Sequence, residues 1–512
     1  MKKSIVHLRN VLFVAVLLVS VAHIYGQTTK TRRGLKPACE SINSSRELPD
    51  QYWTDIVTEQ PEGYVVDENG DVHLHSAEAL AWLVSVVNGL NGQEADDFNG
   101  KKVTLEANVD MATALWVPIA DGTNLGDPNP DKLKFCGTID GNGFVVNNLI
   151  LFHNPNYENF ESFFGNLCGA RIENVVLRHV YSEGRNERDG KFFGSAEPYE
   201  TDGEARPNVI DRCYVEIDEM RKNGFDSESA LFGFKNDGII TNCMVKLGKL
   251  SYPGNIGDSE GLFVFANYGS IQNCASLADS LKWLHNFGGM ANDNYGTIEN
   301  CYSYIGNWFG VYQTWWPPIP RLGVCVNNFG TIRNCYYNKI ENLDFTDDPA
   351  YTNSGTISDT ESFNKEEDGW TFTDTVRIQG QDGVFYETIL LIEALNDWRL
   401  CQENGEVFYA WCADDSFWGN NLPVLCDFDI TEVEEKNEEP VLVNIYPNPA
   451  NGLVRISGMK VAKLQVCNML GQTVKIYQNT NEIDLKGLPA GLYLLRMTDG
   501  KRTTVTRRLV VK

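Results

Sequence analysis

The chain has 512 residues, with 43 Lys and Arg against 69 Asp and Glu, a formal charge of −26. That length exceeds one small core and calls for several domains, while 42% hydrophobic and 22% charged residues exclude a disordered polymer. The acidic excess repels nucleic acid and anionic lipid, so neither is expected as a partner.

In chain order, the first element reads as a secretory signal. Lys2, Lys3 and Arg9 form a basic start, and Val11 to Ala22 is an apolar run too short to anchor in a bilayer. Gly26 is a small residue at a plausible cleavage point, so residues 1–26 are expected to be removed. No Cys stands at the new end to take a lipid, and no later stretch is long and apolar enough for a transmembrane segment. Export permits disulfides, and 13 Cys leave at least one thiol unpaired in a monomer. Residues 27–75 form an N-terminal extension, in which Asp67–Asp71 (DENGD) lacks the rest of a calcium loop and reads as a hairpin turn. Ser76–Gly89 follows as a helix, because Ala77, Leu80, Ala81, Val84, Val87 and Leu90 recur at helical spacing.

The middle of the chain repeats. NDGIITNC (Asn236–Cys243), NYGSIQNC (Asn267–Cys274), NYGTIENC (Asn294–Cys301) and NFGTIRNC (Asn328–Cys335) are four clear copies, preceded by degenerate ones ending at Leu149, Val175 and Cys213. A constant short core with variable spacing is the mark of a solenoid. Within each copy an Ile and the Cys three residues later are both apolar, which breaks a strand's two-residue period unless the chain bends between them. Asn occupies that bend and tolerates a left-handed backbone. Stacking such coils predicts three columns: Ile240, Ile271, Ile298 and Ile332; Asn242, Asn273, Asn300 and Asn334; and Cys243, Cys274, Cys301 and Cys335. Strands about 4.8 Å apart hold parallel Cβ atoms beyond disulfide range, so these thiols are expected to be free. No CxxC or Cys/His cluster has zinc spacing. Asp344–Gln381 reads as a polar loop, and Ile389–Asp397 as a short helix near the far end of the solenoid.

These repeats resemble the GLUG-motif proteins. The segment FCGTIDGNGFVVNNLIL (Phe135–Leu151) followed by SFFGNLCGARIENVVL carries the likeness, with an opening SAEALAWLVSVVNG and a closing LIEALNDWR and FWGNNLPVL in the family's order. The match spans roughly residues 76–426, although Gly-Leu-Phe-Gly itself is degenerate in most coils. The resemblance implies an all-β chain: a right-handed parallel β-helix over residues 76–430 with an N-terminal capping helix. It also implies a surface module rather than one particular enzyme.

EVEEKNEE (Glu432–Glu439) marks an acidic linker, taken as residues 431–442. Beyond it, short alternating segments with Gly, Pro and Asn turns predict a small Ig-like β-sandwich. Residues 443–512 resemble the type A C-terminal sorting domain of type IX secretion in Bacteroidota, through Tyr446, Pro447, Asn448 and Pro449, then Gly471, then Pro489, Gly491 and Tyr493, and a basic tail. The resemblance implies engagement by the outer-membrane translocon and removal by a sortase-like peptidase. It places the protein outside the cell, secreted or attached to the outer surface, by way of the periplasm.

No catalytic set stands out. The mature histidines fall in neither HExxH nor a Ser-nucleophile motif, and acidic groups such as Asp127, Asp131 and Asp140, or Asp414 and Asp415, are common in so acidic a chain. GNG at Gly141–Gly143 reads as a turn, not a phosphate loop. No metal site is implied, and calcium is the one cation the acidity leaves open. The candidate binding residues lie in an insertion between Ile305 and Gly323: Trp308, Phe309, Tyr312, Trp315, Trp316 and Arg321, stiffened by Pro317, Pro318 and Pro320. Aromatic rings there could stack on a glycan, grip a protein, or simply cover the solenoid's side. Two function classes emerge: a surface binding protein or adhesin with a glycan or protein ligand, and a β-helix polysaccharide lyase or glycoside hydrolase.

Overall fold

The computed structural model describes residues 48–512 except 122–132, 153–160, 185–188, 202–203, 223–227, 252–258, 283–285, 310–322, 339–347, 367–368, 377–384, 403–406, 414–421, 427–443, 449, 468–472 and 499–503. Pro49–Lys512 forms one compact unit. It is an all-β chain built on large parallel sheets, a parallel β-helix, with few helices.

One coil shows how the repeat folds. Gly233–Asn236 belongs to a seven-stranded sheet, Ile239–Thr241 to an eleven-stranded sheet and Met244–Ser251 to a twelve-stranded sheet. Each strand pairs in parallel with its counterpart one coil on: Ile240 faces Ile271, then Ile298, Ile332 and Ile357. Ile172 through Ile332 in this column are fully buried. Between the second and third strands Asn148, Asn174, Asn242, Asn273, Asn300 and Asn334 have φ of 47–58°, and Arg212 and Asp359 hold the same place at 56° and 48°. A single left-handed residue turns the chain and returns the next side chain to the interior, which is why Ile and Cys three apart both point inward.

The Cys column is a set of free thiols. Each Sγ donates to the carbonyl two residues back, at 3.0 Å for Cys243 and 3.2 Å for Cys335. Burial pushes the thiols of Cys213, Cys243, Cys274 and Cys335 well up, so they remain protonated and behave as small apolar residues.

Two Asn ladders run along the coils with opposite polarity. At the bend, Asn273 Nδ2 donates to Asn242 Oδ1 and Asn300 Nδ2 to Asn273 Oδ1, each at 2.8 Å, toward earlier coils. At the preceding corner Asn236, Asn267, Asn294, Asn328 and Asn353 form a series in which each donates to the next at 2.8–2.9 Å, toward later coils. The Gly two residues after each corner Asn is a steric requirement. A Cβ on Gly269, Gly296, Gly330 or Gly355 would run into the carbonyl oxygen of Gly238, Gly269, Gly296 or Gly330 on the coil before. Inside the opposite corner, Phe163, Phe192, Phe232 and Phe263 stack with interplanar angles of 16°, 24° and 11°.

The N-terminal end is closed by α1 (Trp53–Ile56) and α2 (Ala77–Asn88). Ser76 caps α2 by accepting from the Ala79 amide at 3.2 Å, and Gly89 ends it at φ 67°. Leu80, Leu83, Val84 and Val87 pack into the solenoid core. Asp67–Asp71 is the hairpin turn between Tyr64–Val66 and Val72–Leu74, and Val72–Leu74 pairs in parallel with Lys102–Leu105, so the eleven-stranded sheet begins upstream of residue 76.

Two expectations are corrected at the other end. Asp344–Gln381 is not a loop throughout: Ala350–Asn353, Thr356–Ser358 and Glu361–Glu366 form a further coil, and Gly369–Val376 and Phe385–Leu390 add antiparallel strands. The motif there has lost its aromatic and its Cys (NSGTISDT), but Asp359 supplies the left-handed bend. The closing segment does not simply end the coils. Helix α3 (Leu391–Leu400) and Trp411, Leu422 and Leu425 lie on the outer face of the twelve-stranded sheet, over Tyr214, Met244, Ala275, Tyr302 and Tyr336. They also use the bend ladder's second amide proton: Asn242 donates to the Val407 carbonyl, Asn273 to Tyr409 and Asn300 to Leu395. Cys412 and Cys426 form a disulfide within this segment.

Residues 444–512 make a separate core in two antiparallel sheets. Asn444–Tyr446, Leu453–Ser457 and Glu482–Asp484 form one, and Lys463–Cys467, Thr473–Gln478, Gly491–Thr498 and Thr504–Val511 the other. Val454, Ile456, Leu464, Val466, Leu495 and Leu509 fill the space between them.

Candidate binding surface

The stacking that builds the core also builds the surface. In the motif Asn-x-Gly, x projects outward at a corner, and in three consecutive coils it is aromatic: Tyr268, Tyr295 and Phe329. Their rings lie 4.7 and 4.8 Å apart with interplanar angles of 4° and 11°. They are 44–49% exposed, whereas the outer face of the twelve-stranded sheet is covered. Lys235 Nζ sits 5.6 Å from the Tyr268 ring centroid and closes that end of the stack. Two residues further along each coil, Ser270, Thr297, Thr331 and Thr356 fall in register as a column of hydroxyls. On the other side Asn327 Nδ2 donates to Asp293 Oδ1 at 2.7 Å. Burial, and then the Asp293 carboxylate, push the Tyr295 hydroxyl up, so it stays protonated and able to donate.

This geometry limits what can bind. Tyr295 is stacked on both faces, Tyr268 lies between Tyr295 and Lys235 Nζ, and Phe329 is stacked on one face, so the strip presents mainly ring edges. A sugar ring stacks on an aromatic face, and here only the far face of Phe329, beside Ser354, is left unstacked. An apolar protein surface packs against edges without that demand.

Of the aromatic insertion read from the sequence, two candidates fall on a described strand. Trp308 and Phe309 end the strand Tyr302–Phe309, in register with Leu281 and Lys282. Tyr312, Trp315, Trp316 and Arg321 lie outside the described residues. The exposed column is not among the residues picked out by sequence reasoning, although its signal is there: one motif position, aromatic in three successive repeats.

The acidic candidates divide likewise. Asp127, Asp131, Asp414 and Asp415 lie outside the described residues. Asp140 is fully engaged at the Gly141–Gly143 turn, accepting from Lys102 Nζ at 3.0 Å, Asn174 Nδ2 at 2.9 Å and the Asn142 amide at 2.9 Å. Lys191, Glu161 and Ser182 also meet, with Lys191 Nζ 3.1 Å and Ser182 Oγ 3.4 Å from Glu161 Oε2. Lys191 and Glu161 are 0% and 1% exposed, so the cluster is an ion pair of the interior without room for a substrate. Among the described residues no group of three or more His, Cys, Asp or Glu is placed to hold a metal ion.

In the C-terminal sandwich, the Val510 amide donates to Asn448 Oδ1 at 2.9 Å and the Tyr493 hydroxyl to the Pro489 carbonyl at 2.9 Å, while Tyr446 is half exposed. Gly491 opens a strand, and Pro449 and Gly471 lie outside the described residues. Residues 444–512 match the secretion system C-terminal sorting domain. The tail marks a type IX secretion protein of Bacteroidota, exported to the cell surface or released, and implies contact with that machinery. No helix among the described residues is long and apolar enough to cross a membrane. No curated protein matches the chain. A crystal structure from Bacteroides ovatus, of a candidate immunoglobulin A1 protease, matches 70% of this chain and 94% of its own at 16% identity and a TM-score of 0.40.

Proposed function

We propose that the protein is a surface-displayed adhesin whose GLUG-type β-helix docks a protein partner on the strip Tyr268, Tyr295 and Phe329. The exposed, self-stacked aromatic column carries the reading. Exposed aromatics in a row with flanking hydroxyls match the composition of protein-binding patches, and the stacked faces disfavour a glycan. The sorting domain delivers the helix through the translocon and is then removed by a sortase-like peptidase.

The test applies the secreted protein to immobilised host extracellular proteins, to a glycan array and to polysaccharides in a reducing-sugar assay. Binding to protein targets is expected, with at least a tenfold loss in the triple variant Tyr268→Ser, Tyr295→Ser, Phe329→Ser at unchanged melting temperature. Trp315→Ala with Trp316→Ala serves as the second arm. Loss of binding in that arm with the triple variant intact would move the site to the insertion. Recognition of glycans alone would overturn the partner class, and sugar release would make the protein an enzyme.

A further inference from the structure

Charge around the aromatic strip is one-sided. The corner column that holds Tyr268, Tyr295 and Phe329 opens one coil earlier with Asp237, because the first clear repeat reads Asn-Asp-Gly where the next three read Asn-Tyr-Gly or Asn-Phe-Gly. Lys235 Nζ lies 3.0 Å from Asp237 Oδ2 and 3.1 Å from Glu197 Oε1, so two carboxylates share one ammonium. Asp293 stands two coils on from Lys235 at the same register position, which the strand spacing makes roughly 10 Å away. Its Oδ1 accepts from Asn327 Nδ2 at 2.7 Å, and among the described residues it forms no ion pair. A neutral donor leaves its charge uncompensated. Asp293 precedes Tyr295 by two residues, so this carboxylate flanks the middle ring of the stack.

The same sign prevails at long range. Residues 27–443 hold 29 Lys and Arg against 66 Asp and Glu, whereas residues 444–512 hold 11 against 3. The part that carries the strip is therefore more acidic than the whole chain, and losing the sorting domain leaves it without its most basic segment.

We propose that the partner docked on the strip is a basic protein surface, with a Lys or Arg side chain paired to Asp293 while apolar groups beside it cover the ring edges of Tyr268, Tyr295 and Phe329. This rests on the reading of the strip as the docking site and adds the chemistry of what docks there. Closing any protein over the strip takes water from Asp293. A neutral or acidic partner leaves that carboxylate uncompensated, whereas a cation placed against it offsets the loss. The two charge effects act at different stages. The overall acidity speeds encounter with a basic surface and slows encounter with an acidic one. Asp293 is one carboxylate among 66 in residues 27–443, so it hardly alters that field and governs how long the docked pair lasts.

The experiment offers the purified secreted protein a displayed library of random short peptides. The captured peptides are synthesised and their association and dissociation rates measured on wild type, Asp293→Asn, Asp293→Glu and the triple variant Tyr268→Ser, Tyr295→Ser, Phe329→Ser, at low and raised salt. Asp293→Asn keeps an Oδ1 to accept from Asn327 and removes only the charge. Captured peptides are expected to carry Lys or Arg beside apolar residues. Asp293→Asn should hold them about fivefold or more weakly, mainly through faster dissociation, while added salt slows association for wild type and Asp293→Asn alike. Asp293→Glu should hold them better than Asp293→Asn; equal loss in both would mark a packing role and overturn the pairing. Captured peptides without basic residues, or basic ones that Asp293→Asn holds as tightly as wild type while the triple variant loses them, would overturn the basic partner and leave the strip as a docking site. Peptides held equally by the triple variant, or no captured peptide at all, would overturn the strip itself and this inference with it.

Discussion

Replacing Asn273 by glycine and, separately, by alanine divides its two duties. Its Oδ1 accepts from Asn300 Nδ2 at 2.8 Å and from Trp411 Nε1 at 2.7 Å; its Nδ2 donates to Asn242 Oδ1 and the Tyr409 carbonyl. Three of these partners keep other contacts: Asn300 still donates to Leu395, Asn242 Oδ1 still accepts from the Tyr409 amide, and the Tyr409 carbonyl is only partly buried. Trp411 Nε1 loses its partner in a fully buried side chain. An orphaned donor costs about 1–3 kcal/mol and each of the other three lost bonds about 1 kcal/mol, so Asn273→Gly should cost about 4–6 kcal/mol. Asn273→Ala loses the same bonds and must also hold φ 55°. The left-handed region costs alanine about 1–2 kcal/mol, offset by about 0.4–1 kcal/mol because glycine leaves a freer unfolded chain. Alanine should therefore lie below glycine by about 1 kcal/mol. Urea unfolding read by far-UV circular dichroism and tryptophan fluorescence tests both steps, coincident transitions being needed before free energies are compared. Equal stability of the two variants would refute the account of the bend, and a glycine variant within about 0.5 kcal/mol of wild type would refute the role of the ladder.

Three further outcomes are expected. Lys191→Met removes the ammonium 3.1 Å from the buried Glu161 carboxylate and should cost about 3–5 kcal/mol, while Lys191→Met with Glu161→Leu should recover most of it, both by urea unfolding; a single variant as stable as the double would refute the pairing. The Asp140 carboxyl is pushed up by burial but more strongly held down by Asn174, Lys102 and the Asn142 amide, so its stabilisation is present above the unfolded pKa of about 4 and lost as pH falls through the lower folded value. Lys102→Met should move the acid-unfolding midpoint to higher pH, and an unmoved midpoint counts against that carboxylate. Deleting Val443–Lys512 should leave folded protein in the periplasm by fractionation and surface labelling, and its appearance on the surface would break the link between the tail and export.

The repeat was legible because a solenoid writes its cross-section into the chain once per coil. Asn-x-Gly-x-Ile-x-Asn-Cys states a corner that admits no Cβ, an inward Ile, a left-handed bend and an inward Cys, each decided by contacts with the next copy of itself. The coil at Asn353–Thr360 does not show in the motif because its bend is Asp359 and its Cys is replaced by Thr360, although the backbone needs only a residue that tolerates positive φ. Similarly, the sorting tail is a local pattern complete within residues 443–512.

What the chain order could not decide was which elements lie on which face. Alternation already turned Tyr214, Met244, Ala275, Tyr302 and Tyr336 outward, a row of apolar side chains that water would disfavour. Nothing in sequence distance says that residues 391–425 return to cover them; that comes from three-dimensional burial and from the spare amide protons of Asn242, Asn273 and Asn300. With that face closed, Tyr268, Tyr295 and Phe329 were left in the open, stacked on one another by the spacing of the coils. The sequence by itself determined the coil and the route out of the cell, because both depend on short-range patterns. The tertiary structure alone decided which of its aromatic residues face a partner, because exposure is settled by whatever else the chain folds over them.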